Sequence, residues 1–183
     1  MNHQRPRSLL LTALPGVAFA LSGCSQLAAQ GLSRSEQGYA APLGSPVSLA
    51  INAFNYTDTY IDSFEVNHQG GGNIYVSSPT SGGGGTVCCV TWRPGTRLPK
   101  PIKVRWSRDN KRWCEMTVML NGPVPANPTA IGVHFMPDGD IQVELSQGYP
   151  KLKLKLDSFN DGRRKETGNV VYDEQIASCK DGI

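Results

Sequence analysis

The chain predicts an all-β fold: a single antiparallel β-sandwich or barrel-like domain of eight or nine short strands, with room for a short C-terminal helix. Three observations lead there. Apolar residues come in short runs rich in Val, Ile, Phe and Trp, several alternating with polar neighbours as half-buried strands do. The 13 prolines and 20 glycines among 183 residues fall mostly between those runs, where they end strands rather than interrupt them. No long segment holds the 3.6-residue apolar period of an amphipathic helix.

The elements follow in order. Val47 to Phe54 is the first apolar run, and Tyr60 to Val66 alternates, with Ile61 and Phe64 among polar neighbours. Ile74 to Val76 reads as a short strand between two glycine runs, the second being Gly82 to Gly85. Thr86 to Trp92 carries Cys88 and Cys89 and stops at Arg93-Pro94-Gly95. Ile102 to Trp106 and Trp113 to Leu120 suit a hairpin across Ser107 to Arg112. Ala130 to Phe135 and Ile141 to Leu145 flank Met136 to Asp140, whose Asp138-Gly139 pair is a strong hairpin turn signal. Lys151 to Leu156 alternates Lys and Leu strictly, the pattern of a half-buried strand. Val170 to Cys179 suits a short helix.

Residues 1–23 have the layout of an export signal: Arg5 and Arg7, then an apolar stretch from Leu9 to Leu21, then small residues. A membrane-crossing helix needs about 20 apolar residues, and Pro15-Gly16 breaks this shorter stretch. Leu21-Ser22-Gly23-Cys24 resembles a bacterial lipobox, which implies cleavage after Gly23 and lipid, palmitate included, on Cys24. Two or more acyl chains hold a protein on a bilayer, because each buried methylene contributes about 0.8 kcal/mol. Ser25, rather than Asp, follows the lipidated position and favours delivery to the outer membrane, facing the periplasm. Residues 24–46, rich in Gln, Ala, Gly, Ser and Pro, then read as lipidated Cys and tether, and 47–183 as a single β domain.

The mature chain has little net charge: removing Arg5 and Arg7 from 18 Lys and Arg leaves 16, against 15 Asp and Glu. That balance and the compartment argue against nucleic acid as a partner. Charge is nevertheless uneven. From Arg93 to Arg112 there are eight cations and one acid, Asp109. This stretch is either a solvated hairpin face or a patch for an acidic partner or anionic head groups.

Besides Cys24 there are four cysteines, Cys88, Cys89, Cys114 and Cys179, an even number that suggests two disulfides in an oxidising compartment. Neighbours on a strand point to opposite faces, so Cys88 and Cys89 are expected to pair separately, one with Cys114 and the other with Cys179. No metal site is expected, since C-x-x-C spacing is absent and no His lies near these cysteines.

Chemical motifs are few. Gly82 to Gly85 lacks the Lys-Ser or Lys-Thr of a phosphate-binding loop and leads into a strand, so a mobile loop with room for a partner's backbone is expected. No nucleophile elbow is present. His134 sits in an apolar strand as a structural histidine would, and His68 falls in a loop. Asp138 and Asp140 could stand as a carboxylate pair but are explained by the turn they occupy. Asn55-Tyr56-Thr57 is read as a turn former, and Trp92, Trp106 and Trp113 as core residues unless one is exposed beside the basic stretch, where it would be a contact hot spot. No enzyme and no cofactor beyond the covalent lipid are therefore expected.

Several of these segments together are similar to a known family. They are Asn55-Tyr56-Thr57 with Ile61 and Phe64, Gly82 to Gly85 leading to Val87-Cys88-Cys89-Val90, Trp92-Arg93-Pro94-Gly95, Val104-Arg105-Trp106, and Val133 to Gly139. Their order resembles the domain-of-unknown-function family three-three-zero-four, small Gram-negative lipoproteins, over roughly residues 49 to 150. The resemblance carries over no catalytic residue. It implies a periplasmic immunity protein, because family members often occur beside type VI secretion phospholipase effectors. The expected partner is thus a secreted lipase effector, with Gly82, Gly83, Gly84, Gly85, Trp92, Arg93, Arg108, Lys111 and Arg112 as contact candidates. The alternative is a structural or accessory envelope lipoprotein of a secretion system.

Overall fold

The structure, a computed structural model, describes residues 43–155 and 171–182. Residues 1–42, with the expected export segment, Cys24 and most of the expected tether, lie outside the described residues. Nine strands and one short helix follow in order: β1 Val47–Asn55, β2 Ile61–Val66, β3 Gln69–Ile74, β4 Gly83–Trp92, β5 Lys100–Ser107, β6 Arg112–Leu120, β7 Ala130–Phe135, β8 Ile141–Ser146, α1 Tyr172–Ile176 and β9 Ser178–Asp181. They form one sheet in the order β8-β7-β1-β4-β3-β2-β5-β6-β9. The sheet curls into a half-barrel, so that β8, at one edge, packs near β6.

The all-β expectation holds, with one amendment to "antiparallel". β7 pairs parallel to β1, Ala50 opposite Ala130 and Asn55 opposite Phe135, while the remaining ladders are antiparallel. The proline-bearing connection 121–129 carries the chain from the end of β6 to the start of β7, which lets β7 run in the direction of β1. β1 and β7 lie inside the sheet and are buried almost without break toward their C-terminal ends. That is why their sequences read as continuous apolar runs rather than alternation. Inside the curl, Leu49, Ile51, Phe64, Val104, Trp106, Phe135 and Ile141 form a single core, and burying each such side chain contributes about 1.5–3 kcal/mol.

Three expected elements are corrected. The strand foreseen at Ile74 to Val76 instead runs from Gln69 to Ile74, through the first glycine run. Gly71 lies against the Phe64 ring, where no side chain would fit. Residues 151–155 form no strand, although Lys outside and Leu partly inside persists; the Lys153 N–H donates to the Tyr56 hydroxyl at 2.8 Å instead of to a ladder. The C-terminal helix covers only Tyr172 to Ile176, and the residues after it form β9 on the edge of β6.

The disulfides also differ from expectation: Cys88 bonds to Cys89 and Cys114 to Cys179. Strict alternation along β4 fails where it mattered. Leu49 pairs with Val90 and Ile51 with Val87, a bulge that leaves Ala50 alone opposite Cys88 and Cys89. Distance excludes the expected partners. β4 and β6 stand four strand steps apart, about 19 Å along the sheet at roughly 4.8 Å per step, whereas Cys114 and Cys179 are direct cross-strand neighbours.

Candidate functional site

Strand direction sorts the contact candidates to two ends of the domain. β1 begins and β4 finishes at one end, where Val47 pairs with Trp92, and Lys100 starts β5 there. The chain enters from the expected tether at this end, the Gly44 N–H donating to the Pro94 carbonyl at 2.8 Å. At the opposite end lie the start of β4 with Gly82 to Gly85, the β5–β6 turn with Arg108 to Lys111, the β7–β8 turn and α1. Trp92 and Arg93 are thus separated from the glycines by the length of β4, roughly 30 Å for ten residues, and the nine candidates do not form one surface.

Gly83 to Gly85 open β4, and Gly82 directly precedes it, rather than forming the expected mobile loop. Gly82 is buried under the Phe54 ring, and Gly84 lies against the Ala53 carbonyl. Gly83 has φ +88° and sits on the Tyr75 backbone, so it requires the left-handed conformation and the absence of a side chain together. Gly85 meets nothing within 4 Å. Three of the four glycines therefore serve packing between β1, β3 and β4.

The basic stretch divides in two. Lys103 pairs with Glu115 at 3.0 Å, Arg105 with Glu65 at 3.4 Å, and Arg112 with Asp181 at 3.3 Å. Arg105 also lies 4.4 Å from the centre of the Trp113 ring. Arg93, Arg97, Lys100 and Lys111 have no ion-pair partner among the described residues. The first three converge on a groove of about 620 Å³ at the tether end, walled by Leu43, Trp92, Pro99 and Pro101, with no carboxylate in its lining. Trp92 is only 3% exposed, so it forms part of the core behind this groove rather than an exposed hot spot.

Arg108 is the largest departure from the sequence reading. It is 3% exposed and unavailable as a contact residue. Its guanidinium reaches from the β5–β6 turn to donate to the Thr59 and Tyr60 carbonyls of the β1–β2 loop and to the Asp173 carboxylate of α1, the last at 2.5 Å. Glu174 lies 3.5 Å from its Nε. Burial raises the Asp173 carboxyl, and the Arg108 charge pulls against that shift. One side chain thus ties two loops to α1, and leaving either charge without the other would cost about 3–5 kcal/mol by analogy with broken buried pairs. No residue pattern announced this role; only the placement of α1 reveals it.

His134 supplies the second buried polar network. Its ring stacks on Phe54 at 4.5 Å. Nε2 is 3.0 Å from Glu144 Oε1 and Nδ1 is 3.3 Å from the Tyr56 hydroxyl. Burial first, then nearby Lys153, pushes the imidazole down to about 4 against the pull of Glu144. The neutral ring then donates from Nε2 to Glu144 and accepts at Nδ1 from Tyr56, which in turn accepts the Lys153 N–H, so every group is satisfied. Acid, imidazole and hydroxyl are in relay order, but the hydroxyl is a buried phenol raised further by burial, and an imidazole near 4 is a weak base at neutral pH. His68 stands apart in the exposed β2–β3 turn. Asp138 accepts from the Asp140 N–H within the β7–β8 turn, as expected of turn residues. Asn55 is buried and organises its own turn, its Nδ2 donating to the Thr59 carbonyl at 2.9 Å and its Oδ1 accepting from Thr57.

The end opposite the tether exposes apolar side chains on this fixed frame: Tyr75 at 44%, Tyr172 at 51% and Ile176 at 63%. Among the described residues there is no group of three or more His, Cys, Asp and Glu placed to hold a metal ion, and no helix long and apolar enough to cross a membrane. No curated protein and no solved structure matches the chain. Residues 54–143, inside the stretch on which the resemblance rested and just under half the chain, match the sequence model of a family described as protein of unknown function, DUF3304.

Proposed function

We propose that this protein is a lipid-anchored, periplasm-facing binding protein of the outer membrane, and most concretely an immunity protein that binds and blocks a type VI secretion phospholipase effector. The observation that carries the reading is the surface at the end away from the tether. Tyr172 and Ile176 are exposed there on α1, which the Arg108–Asp173 pair ties to the β1–β2 loop, and Tyr75 is exposed beside Tyr60 of that loop, their rings 5.1 Å apart. Exposed aromatic side chains on a preorganised frame suit tight protein association, since little ordering entropy remains to be lost on binding. Lys111 and Arg112 stand at the same end and supply a charged margin. Lipid on Cys24 would hold the domain where an incoming phospholipase acts, and occlusion of the enzyme would need no catalytic group in this chain.

The test is capture of the product of the adjacent effector gene by the purified full chain, with lipase activity as readout. A one-to-one nanomolar complex that suppresses lipase activity is expected, and alanine at Tyr75 and Tyr172 together should weaken it at least about tenfold. Absence of a complex, with both disulfides intact, would move the assignment to an accessory envelope lipoprotein. Normal survival of a deletion strain attacked by sister cells would have the same consequence.

A further inference from the structure

The tether-end groove has a chemistry distinct from that of the opposite end. Arg93 and Arg97 are exposed and Lys100 is half-buried, and among the described residues none has an acidic partner. Of the cations that follow along β5, the β5–β6 turn and the start of β6, Lys103, Arg105, Arg108 and Arg112 each have one, and Lys111 stands alone at the far end. Three uncompensated charges around one concavity repel each other, an arrangement that an anionic surface relieves. Apolar groups stand among them, Leu43 at 55% exposure together with Pro99 and Pro101. Cations interleaved with exposed apolar groups match a phospholipid surface, where head-group phosphates meet the charges and the interface accepts the apolar atoms.

Position supplies the second argument. Leu43 lies 19 residues after Cys24, a length that spans at most about 65 Å, and it forms part of the groove wall. The groove therefore sits at the end of the domain where the chain from a lipidated Cys24 arrives. We propose that Arg93, Arg97 and Lys100 dock this end of the domain on an anionic phospholipid bilayer and so turn Tyr75, Tyr172 and Ile176 toward the periplasm. The orienting role rests on the lipid-anchor reading above; the affinity of the groove for anionic bilayers does not.

The experiment separates the two. The full chain carrying Cys24→Ser, which cannot be lipidated, is sedimented with vesicles of phosphatidylcholine alone and of phosphatidylcholine with phosphatidylglycerol. Residues 1–23 are the same in every variant, so their contribution cancels. Each cation at such a surface strengthens binding about fivefold, so Arg93→Gln with Arg97→Gln and Lys100→Gln should lose about a hundredfold on the anionic vesicles at low salt. The charge-matched control Lys111→Gln, Arg112→Gln, Lys180→Gln, at the far end, should lose less than about fivefold. All six positions lie on the surface or its margin, so the fold tolerates both sets. Equal binding by the parent and the groove variant, or an equal loss in the control, would overturn the proposal. So would a groove variant that keeps vesicle binding but loses capture of the effector, which would make the groove a protein contact. Mass spectrometry of the wild-type N-terminus tests the anchor separately: an unlipidated Cys24 would sink that reading and leave the vesicle result standing.

Discussion

His134 makes the stability of this domain depend on acid in a way that can be calculated. The imidazole is wholly buried and its pKa falls from 6.5 to about 4 in the folded state. Between those values the unfolded chain binds a proton that the folded one refuses, so stability rises with pH across the window and is lost as pH falls through it. The 2.5-unit gap between 6.5 and about 4, at 1.36 kcal/mol per unit, amounts to about 3 kcal/mol lost between pH 7 and pH 4. Carboxylates titrate over part of the same range, so the measurement is a difference. Urea denaturation of the wild type and of His134→Gln, each at pH 7 and pH 4, should show a smaller loss in the variant by about 3 kcal/mol. The variant's lower absolute stability, expected from loss of the Phe54 stacking, does not enter. Equal losses in the wild type and His134→Gln would refute the claim that the ring is held neutral by its surroundings.

Arg108→Met should destabilise the domain by about 3–5 kcal/mol in urea denaturation by stranding the Asp173 carboxylate, and adding Asp173→Leu should recover a substantial part of that loss. A nonreducing peptide map should find Cys88 and Cys89 joined within one peptide and Cys114 linked to Cys179. Replacing the latter pair by serine, which frees a loop with a sequence separation of 65, should cost about 4 kcal/mol of stability. Gly83→Ala should cost more than about 1 kcal/mol, because φ +88° and the Tyr75 backbone both oppose a side chain; Gly85→Ala should stay within about 0.5 kcal/mol. Thermal or urea unfolding distinguishes these two.

How much was legible in advance depended on how local the cause was. Strand runs such as Ala130 to Phe135 and the hairpin turn at Asp138-Gly139 follow from side-chain periodicity and turn chemistry within a few residues, and the structure has them where the sequence places them. The Lys151 to Leu156 alternation misled because a strand also needs a neighbour for its N–H groups, and Lys153 gives its N–H to Tyr56. β9 was missed for the converse reason: Ser178 to Asp181 has no strand pattern of its own and is held by its ladder to β6 and by the Cys114–Cys179 bond. Arg108 read as a surface cation because composition says nothing about an Asp that stands 65 positions away in the chain.

By itself the sequence determined the all-β class, most strand positions, the even set of four cysteines and the family resemblance, since each depends on residue type and short-range spacing. The tertiary structure decided which cysteines meet, which cations are neutralised, and which end of the domain each candidate occupies. Those outcomes depend on strand order, on one bulge opposite Ala50 and on the parallel docking of β7 against β1. All three are set by long-range packing of the apolar faces, and that packing can be read only once the sheet has closed around its core.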